Sequence, residues 1–272
     1  MTSKPGCVKR IMMRTDLDPD IGAMYKSASQ QARVITETWV EDEMFCPACE
    51  SPSLERLPHG TRVRDFRCPE CAEEYQCKSL SAPIRSRVVD SAYSAMIEAI
   101  LKNEIPSLML LHYSRRDWRV EDLLLIPSHL LSLSAIEKRE PLGPNARRAG
   151  WVGCNILLDC IPATGRIFAV KNGATIDPAQ VRLSWKQLSF LRSFEPPSRG
   201  WFLDVLNCVQ SLGKPRFSLG EAYDFEDRLS SLHPENRNIK PKIRQQLQVL
   251  RDRVLLRFVS KGEYELLGDT RT

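Results

Sequence analysis

Two pairs of cysteines, Cys46-Pro47-Ala48-Cys49 and Cys68-Pro69-Glu70-Cys71, constrain this chain more than any other feature. Eighteen residues separate the pairs. Each C-x2-C turn presents two sulfurs to one ion, and four thiolates close a tetrahedral shell around zinc. A closed shell leaves no open coordination position, so the expected role is a structural zinc knuckle over residues 46–71. Reduced thiols and an iron–sulfur cluster are the other readings this spacing allows. Cys7, Cys77, Cys154, Cys160 and Cys208 lack such a partner and read as small buried apolar residues.

The opening residues MTSKPGCVKRIMMRTD lack the apolar core of a secretory leader, and no run of about 18 apolar residues exists to span a membrane. The expected location is the cytoplasm, where clustered cysteines serve metal binding or catalysis rather than disulfides. The 272 residues suffice for one large or two ordinary domains. A net charge of +5 is too mild to identify a nucleic-acid partner, so the placement of charge matters more.

Ala28, Ala32, Ile35 and Trp39 recur at helical spacing and predict a helix over 26–40. Residues 75–80 read as a short strand. Val89, Ala92, Tyr93, Met96 and Ile100 predict one face of a second helix. Short apolar runs at 108–113, 123–126 and 167–170 predict buried strands. The stretch FEPPSRG, 194–200, reads as a linker. Beyond it come helical patterns at 202–212, at a capping box opened by Ser218 and Glu221, and at 238–253. Runs at 254–259 and 264–267 then flank a Ser-Lys-Gly-Glu turn, a hairpin signal. Three helices followed by a hairpin is winged-helix order. The expected fold class is α+β, with domains over 1–195 and 196–272.

Asp65 lies three residues before Cys68, and ten residues separate it from Gln76, with Lys78 two further on. Asp, then Gln-x-Lys on a strand, resembles the PD-(D/E)xK nuclease signature with Gln76 in place of the usual carboxylate. Residues 76 and 78 share one strand face. An Asp on a neighbouring strand can share a divalent ion with residue 76. Such an ion polarises a phosphate and lowers the pKa of a bound water, and a nearby lysine offsets the developing charge. Read alone, the same three residues also fit an ordinary polar strand surface.

The blocks SQQARVITETWV (29–40), RDFRCPECAEEYQCK (64–78), DSAYSAMI (90–97), EPLGPNARRAGWVGCNI (140–156), GRIFAV (165–170) and KIRQQLQVLRDR (242–253) together resemble the DpnI family of restriction endonucleases, also called Dam-replacing proteins. The similarity covers roughly residues 25–267. It implies a PD-(D/E)xK-like nuclease domain with an inserted four-cysteine zinc site, followed by a winged-helix domain. It further implies magnesium-dependent hydrolysis of duplex DNA at 5′-GATC-3′ sites whose adenine carries an N6 methyl group. The family's catalytic Asp and Lys fall on Asp65 and Lys78, and its Glu falls on Gln76. An amide still offers an oxygen to magnesium but removes one negative charge. Glu74, on the same strand face, and Glu37, on the first helix, are the carboxylates placed to compensate.

Arg237, Lys240, Lys242, Arg244, Arg251, Arg253 and Arg257 surround the last helix, and only Asp252 opposes them between 236 and 257. This asymmetry fits a recognition helix, with basic residues on phosphates and Asn238, Gln245 and Gln246 at base edges. Arg147, Arg148, Trp151 and Asn155 form a second candidate DNA surface in the nuclease domain. There an exposed Trp151 would sense the methyl group, and Gly150 and Gly153 would let backbone approach DNA. The expected partner is adenine-methylated duplex DNA, with no membrane and no obligate protein partner, the chain acting as a monomer. Gln76 keeps a non-cleaving reader of methylated DNA as the alternative, and a zinc-bearing interaction protein is a third reading.

Overall fold

A computed structural model of the chain describes residues 13–58, 61 and 63–267. Cys7 and most of the segment read for a leader lie outside the described residues. In chain order, α1 (Ala28–Glu43) is followed by β1 (Glu55–Arg56), β2 (Phe66–Arg67) and β3 (Glu74–Leu80). Next come β4 (Arg87–Ala92), α2 (Tyr93–Leu101), β5 (Ser107–Ser114), β6 (Arg119–Ile126), β7 (Ile136–Lys138) and β8 (Gly153–Leu157). Then follow β9 (Ile167–Lys171), β10 (Ala174–Thr175), α3 (Pro178–Gln187), α4 (Pro196–Ser211) and β11 (Arg216–Ser218). The chain ends with α5 (Leu219–Tyr223), α6 (Glu226–Leu232), α7 (Ile239–Asp252), β12 (Leu256–Ser260) and β13 (Glu263–Leu266).

The chain groups into two compact units. The first gathers the residues up to Ile84, Pro106–Ser128 and Ile167–Gln187. Its seven-stranded sheet runs β1-β2-β3-β5-β6-β9-β10. Only β3 and β5 pair in parallel, and the other neighbours are antiparallel. One face of this sheet carries Phe66, Tyr75, Met109, Leu111, Leu123 and Leu125 into a core closed by Ile35, Trp39 and Val40 of α1 and Val181 and Trp185 of α3. Each such side chain contributes about 1.5–3 kcal/mol when fully buried. Ala28 is exposed, so the buried stripe of α1 begins one turn later, at Ala32. Because β3 sends Tyr75 into this core, its Glu74, Gln76 and Lys78 take the opposite pleat.

The second unit gathers Arg85–Ile105, His129–Arg166 and the residues from Leu188 on. The helix expected from Val89 to Ile100 begins only at Tyr93. Residues 87–92 are strand β4, with Val88 buried and Val89 59% exposed. Tertiary pairing overrides the helical spacing there: Val88 and Val89 register against Ile156 and Asn155 of β8, in a sheet ordered β4-β8-β7.

The expected linker at 194–200 is also corrected. Pro196 and Pro197 occupy the first turn of α4, where a missing N–H costs nothing, and Arg199 and Gly200 are already buried. After α4, Ser218 caps α5 through a complete capping box with Glu221. Ile239, Ile243, Leu247 and Leu250 anchor α7, while β11, β13 and β12 form a three-stranded sheet in that order.

Candidate functional site

Cys46 and Cys49 lie on the turn that follows α1, and Cys68 and Cys71 on the turn between β2 and β3. The four sulfurs lie within 4.8 Å of one another, with Cys46–Cys71 at 3.7 Å and Cys49–Cys68 at 3.5 Å. A zinc–sulfur bond of about 2.3 Å implies a tetrahedral edge of roughly 3.8 Å, so these separations fit one tetrahedral ion such as zinc. Backbone N–H groups of Ser51 and Cys71 point at the sulfurs of Cys49 and Cys68, and the Tyr75 hydroxyl lies 3.2 Å from Cys46 Sγ.

Arg182, on α3, clamps the first turn. Its Nε donates to the carbonyls of Cys46 and Cys49 at 3.1 and 2.8 Å, its Nη2 to Ser51 O, and its Nη1 meets Glu50 at 3.0 Å. No local sequence signal marks Arg182, because its partners lie more than 130 residues away. Among the remaining cysteines, Cys154 and Cys208 are buried, and burial pushes the Cys208 thiol up to about 11. Cys77 and Cys160 are half-buried.

Asp65 is fixed from both sides. Its N–H donates to Tyr75 O at 2.9 Å and its carbonyl accepts from Leu57 N–H at 2.8 Å. Its Oδ2 accepts a 2.8 Å hydrogen bond from the backbone N–H of Cys77, the residue between Gln76 and Lys78. Burial raises the Asp65 carboxyl above its ordinary range and the charge of Glu37 raises it further, while Cys77 N–H, Arg33 and Lys78 pull it down. Glu37 is buried on α1, and Arg33 Nε donates to its Oε1 at 2.6 Å. Arg33 Nη2 lies 3.9 Å from Asp65 Oδ1. Glu37 therefore belongs to this cluster, whereas Glu74 is paired with Arg64. The only hint of Arg33 in the sequence was its i,i+4 spacing to Glu37.

Arg147 and Arg148 are exposed. Trp151 is half-buried, not exposed, with the Arg148 guanidinium 4.7 Å above its ring. A Cβ on Gly153 would lie 2.7 Å from Trp151 ring carbons. Gly153 therefore makes room for the indole rather than for a DNA backbone, whereas Gly150 sits at φ +77° with open space around it. Asn155, on β8, donates to Glu137 Oε2 at 2.7 Å.

On and before α7, Arg237, Asn238, Lys240, Arg244 and Gln245 are exposed. Gln246 is only 5% exposed and faces the core side with Ile243 and Leu247, so it is corrected from the base-reading set. Lys240 pairs with Glu226 at 3.0 Å, Arg244 donates to the Tyr223 hydroxyl at 2.7 Å, and Lys242 lies 5.9 Å from the Trp201 ring centroid.

The class follows from these features: a mixed α/β protein whose four thiols can hold a metal such as zinc and whose C-terminal helices, the last one basic, pack with a three-stranded sheet. Residues 13–194 match the model of the DpnI, Dam-replacing family, and residues 197–266 match that of the Dam-replacing helix-turn-helix domain. The chain belongs to the Dam-replacing (DpnI) family, which implies, in general terms, a methyl-directed restriction endonuclease. Among the described residues, no helix is long and apolar enough to cross a membrane.

Proposed function

We propose that this chain is a magnesium-dependent type II endonuclease that hydrolyses duplex DNA at adenine-methylated sites, 5′-G-m6A-T-C-3′ being the expected target. The observation that carries the reading is the hydrogen bond from Cys77 N–H to Asp65, which ties that carboxylate to the strand segment bearing Gln76 and Lys78. The functional division runs between residues 195 and 196. The PD-(D/E)xK-like reading of the first part rests on this Asp–strand arrangement. The winged-helix reading of the second rests on α7 followed by the β12–β13 hairpin. Zinc on Cys46, Cys49, Cys68 and Cys71 is structural, since four sulfurs complete its shell.

The donor set beside Cys77 fits a hard divalent cation. Asp65 is a half-buried carboxylate made harder to ionise first by burial and further by the charge of Glu37, and a cation shared between such oxygens offsets both costs. Magnesium held there supplies polarisation of the scissile phosphate and a water of lowered pKa. Asp65 and the Gln76 amide oxygen are its proposed ligands. Lys78 orients the attacking water and offsets charge on the phosphate.

Arg147 and Arg148 hold phosphates, Asn155 supports their surface, and Trp151 packs against the methyl group. Arg237, Lys240, Lys242 and Arg244 hold phosphates around α7, with Asn238 and Gln245 at base edges. One methyl group contributes only about 1–3 kcal/mol of discrimination, so reading it in both domains multiplies the preference. The proposed unit is a cytoplasmic monomer that cuts the two strands in turn. Incubating methylated and unmethylated plasmid with magnesium tests the reading: cleavage confined to methylated plasmid is expected, and binding without cleavage overturns it in favour of a non-cleaving reader.

A further inference from the structure

Arg33 holds the two carboxylates of the candidate metal site at once. Its Nε binds Glu37 Oε1 at 2.6 Å, and its Nη2 lies 3.9 Å from Asp65 Oδ1. Glu37 has only 6% of its side chain exposed, so without a counter-charge it would be an isolated buried anion, which is costly. The Arg33 side chain is itself 54% exposed. The same guanidinium thus sits against a buried carboxylate and a half-buried one, on a side chain half open to solvent. A planar, forked guanidinium also matches a phosphate diester.

We propose that Arg33 is a counter-ion latch, which holds Asp65 and Glu37 until a DNA phosphate draws its guanidinium away and so opens those oxygens to a divalent cation. The latch rests on the metal-site reading above. It makes metal and DNA cooperative: the cation binds weakly to the free protein and tightly to the complex, and by linkage the duplex gains the same factor from the cation. An ordinary helix-surface ion pair would change cation affinity equally with and without DNA.

The test uses full-length, zinc-loaded protein in a Lys78→Ala background, where cleavage is slowed enough for the duplex to outlast each titration. Mn2+ binding is titrated with and without a methylated duplex. Before any change at Arg33, the duplex should tighten Mn2+ by about 5- to 150-fold, the usual range for coupled sites. Adding Arg33→Gln should tighten Mn2+ in the absence of DNA and shrink the effect of the duplex at least about fivefold. Arg33→Lys, which keeps the charge but loses the fork, should fall between. A duplex effect of unchanged size in both Arg33 variants overturns the latch. Asp65→Asn separates the two levels of inference. If it binds Mn2+ as tightly as the parent, the metal-site reading falls and the latch with it. If it loses Mn2+ while the Arg33 variants keep full coupling, only the latch falls.

Discussion

The Asp65 carboxylate accepts a 2.8 Å hydrogen bond from the backbone amide of Cys77. Cys77 is the middle residue of Gln76-Cys77-Lys78, so this bond sets the spacing between a carboxylate just ahead of β2 and two polar side chains on β3. The turn bearing Cys68 and Cys71 lies between β2 and β3, and Cys68 N–H donates to Glu73 O at its base. The turn that carries two of the four clustered cysteines thereby holds the register of the candidate active site.

Gln76→Glu should lower the magnesium concentration needed for cleavage, because it restores a negative charge beside Asp65. Lys78→Ala should slow cleavage by about 100- to 1000-fold with little change in DNA affinity, as for loss of one pre-placed charge stabiliser. Magnesium titrations of plasmid cleavage read both. Unchanged magnesium dependence in Gln76→Glu removes residue 76 from the ligand set.

Arg182→Ala should destabilise the fold by about 2–3 kcal/mol, since a mostly buried guanidinium loses its bonds to three carbonyls. The same variant should release zinc to a chelator faster, because the 46–51 turn loses its clamp. Urea unfolding and a colorimetric zinc-release assay check the two effects. Chelation of the wild-type metal should itself unfold the region around Cys46–Cys71.

Gly153→Ala places a methyl group where the Trp151 ring lies and must displace it. Overpacking of this kind costs about 1–3 kcal/mol. If Trp151 senses the methyl group, discrimination between methylated and unmethylated duplex should collapse while binding to unmethylated DNA persists. Competition binding with the two duplexes decides the matter, and retained discrimination removes Trp151 from that role.

His129 is 3% exposed, and burial, aided by the charges of Arg192 and Arg199, lowers its pKa to about 3. Its folded pKa lies below its unfolded one, near 6.5, so between those values the unfolded chain binds the extra proton. Stability should therefore fall as pH drops from about 6.5 toward 3, and His129→Leu should flatten that part of the profile. Denaturant unfolding across this range supplies the comparison. An identical slope in the variant would show that other groups cause the acid loss.

Much of this was legible in local pattern. The two C-x2-C turns, the Ser218–Glu221 capping box, the amphipathic α7 and the hairpin after it all follow from short-range spacing, and each is present. Where reading failed, a distant partner decided. Val89 looks helical until β8 offers it a pairing edge, and Pro196 and Pro197 look like a linker until they open α4. Gln246 looks like a base reader until the helix turns it inward. Trp151 looks exposed until its ring occupies the space that Gly153 leaves.

Composition and spacing alone determined that the chain has a four-cysteine cluster able to hold a metal, a polar strand motif beside it and a basic C-terminal helix. They do so because ligand geometry, strand alternation and helical periodicity act over a few residues. Tertiary structure alone decided that Asp65 meets Cys77 N–H, that Arg33 joins Glu37 to Asp65 and that Arg182 closes the cysteine turn. Those contacts join segments between a dozen and more than a hundred residues apart, and only the packing of α1 and α3 against the sheet brings such groups within bonding distance.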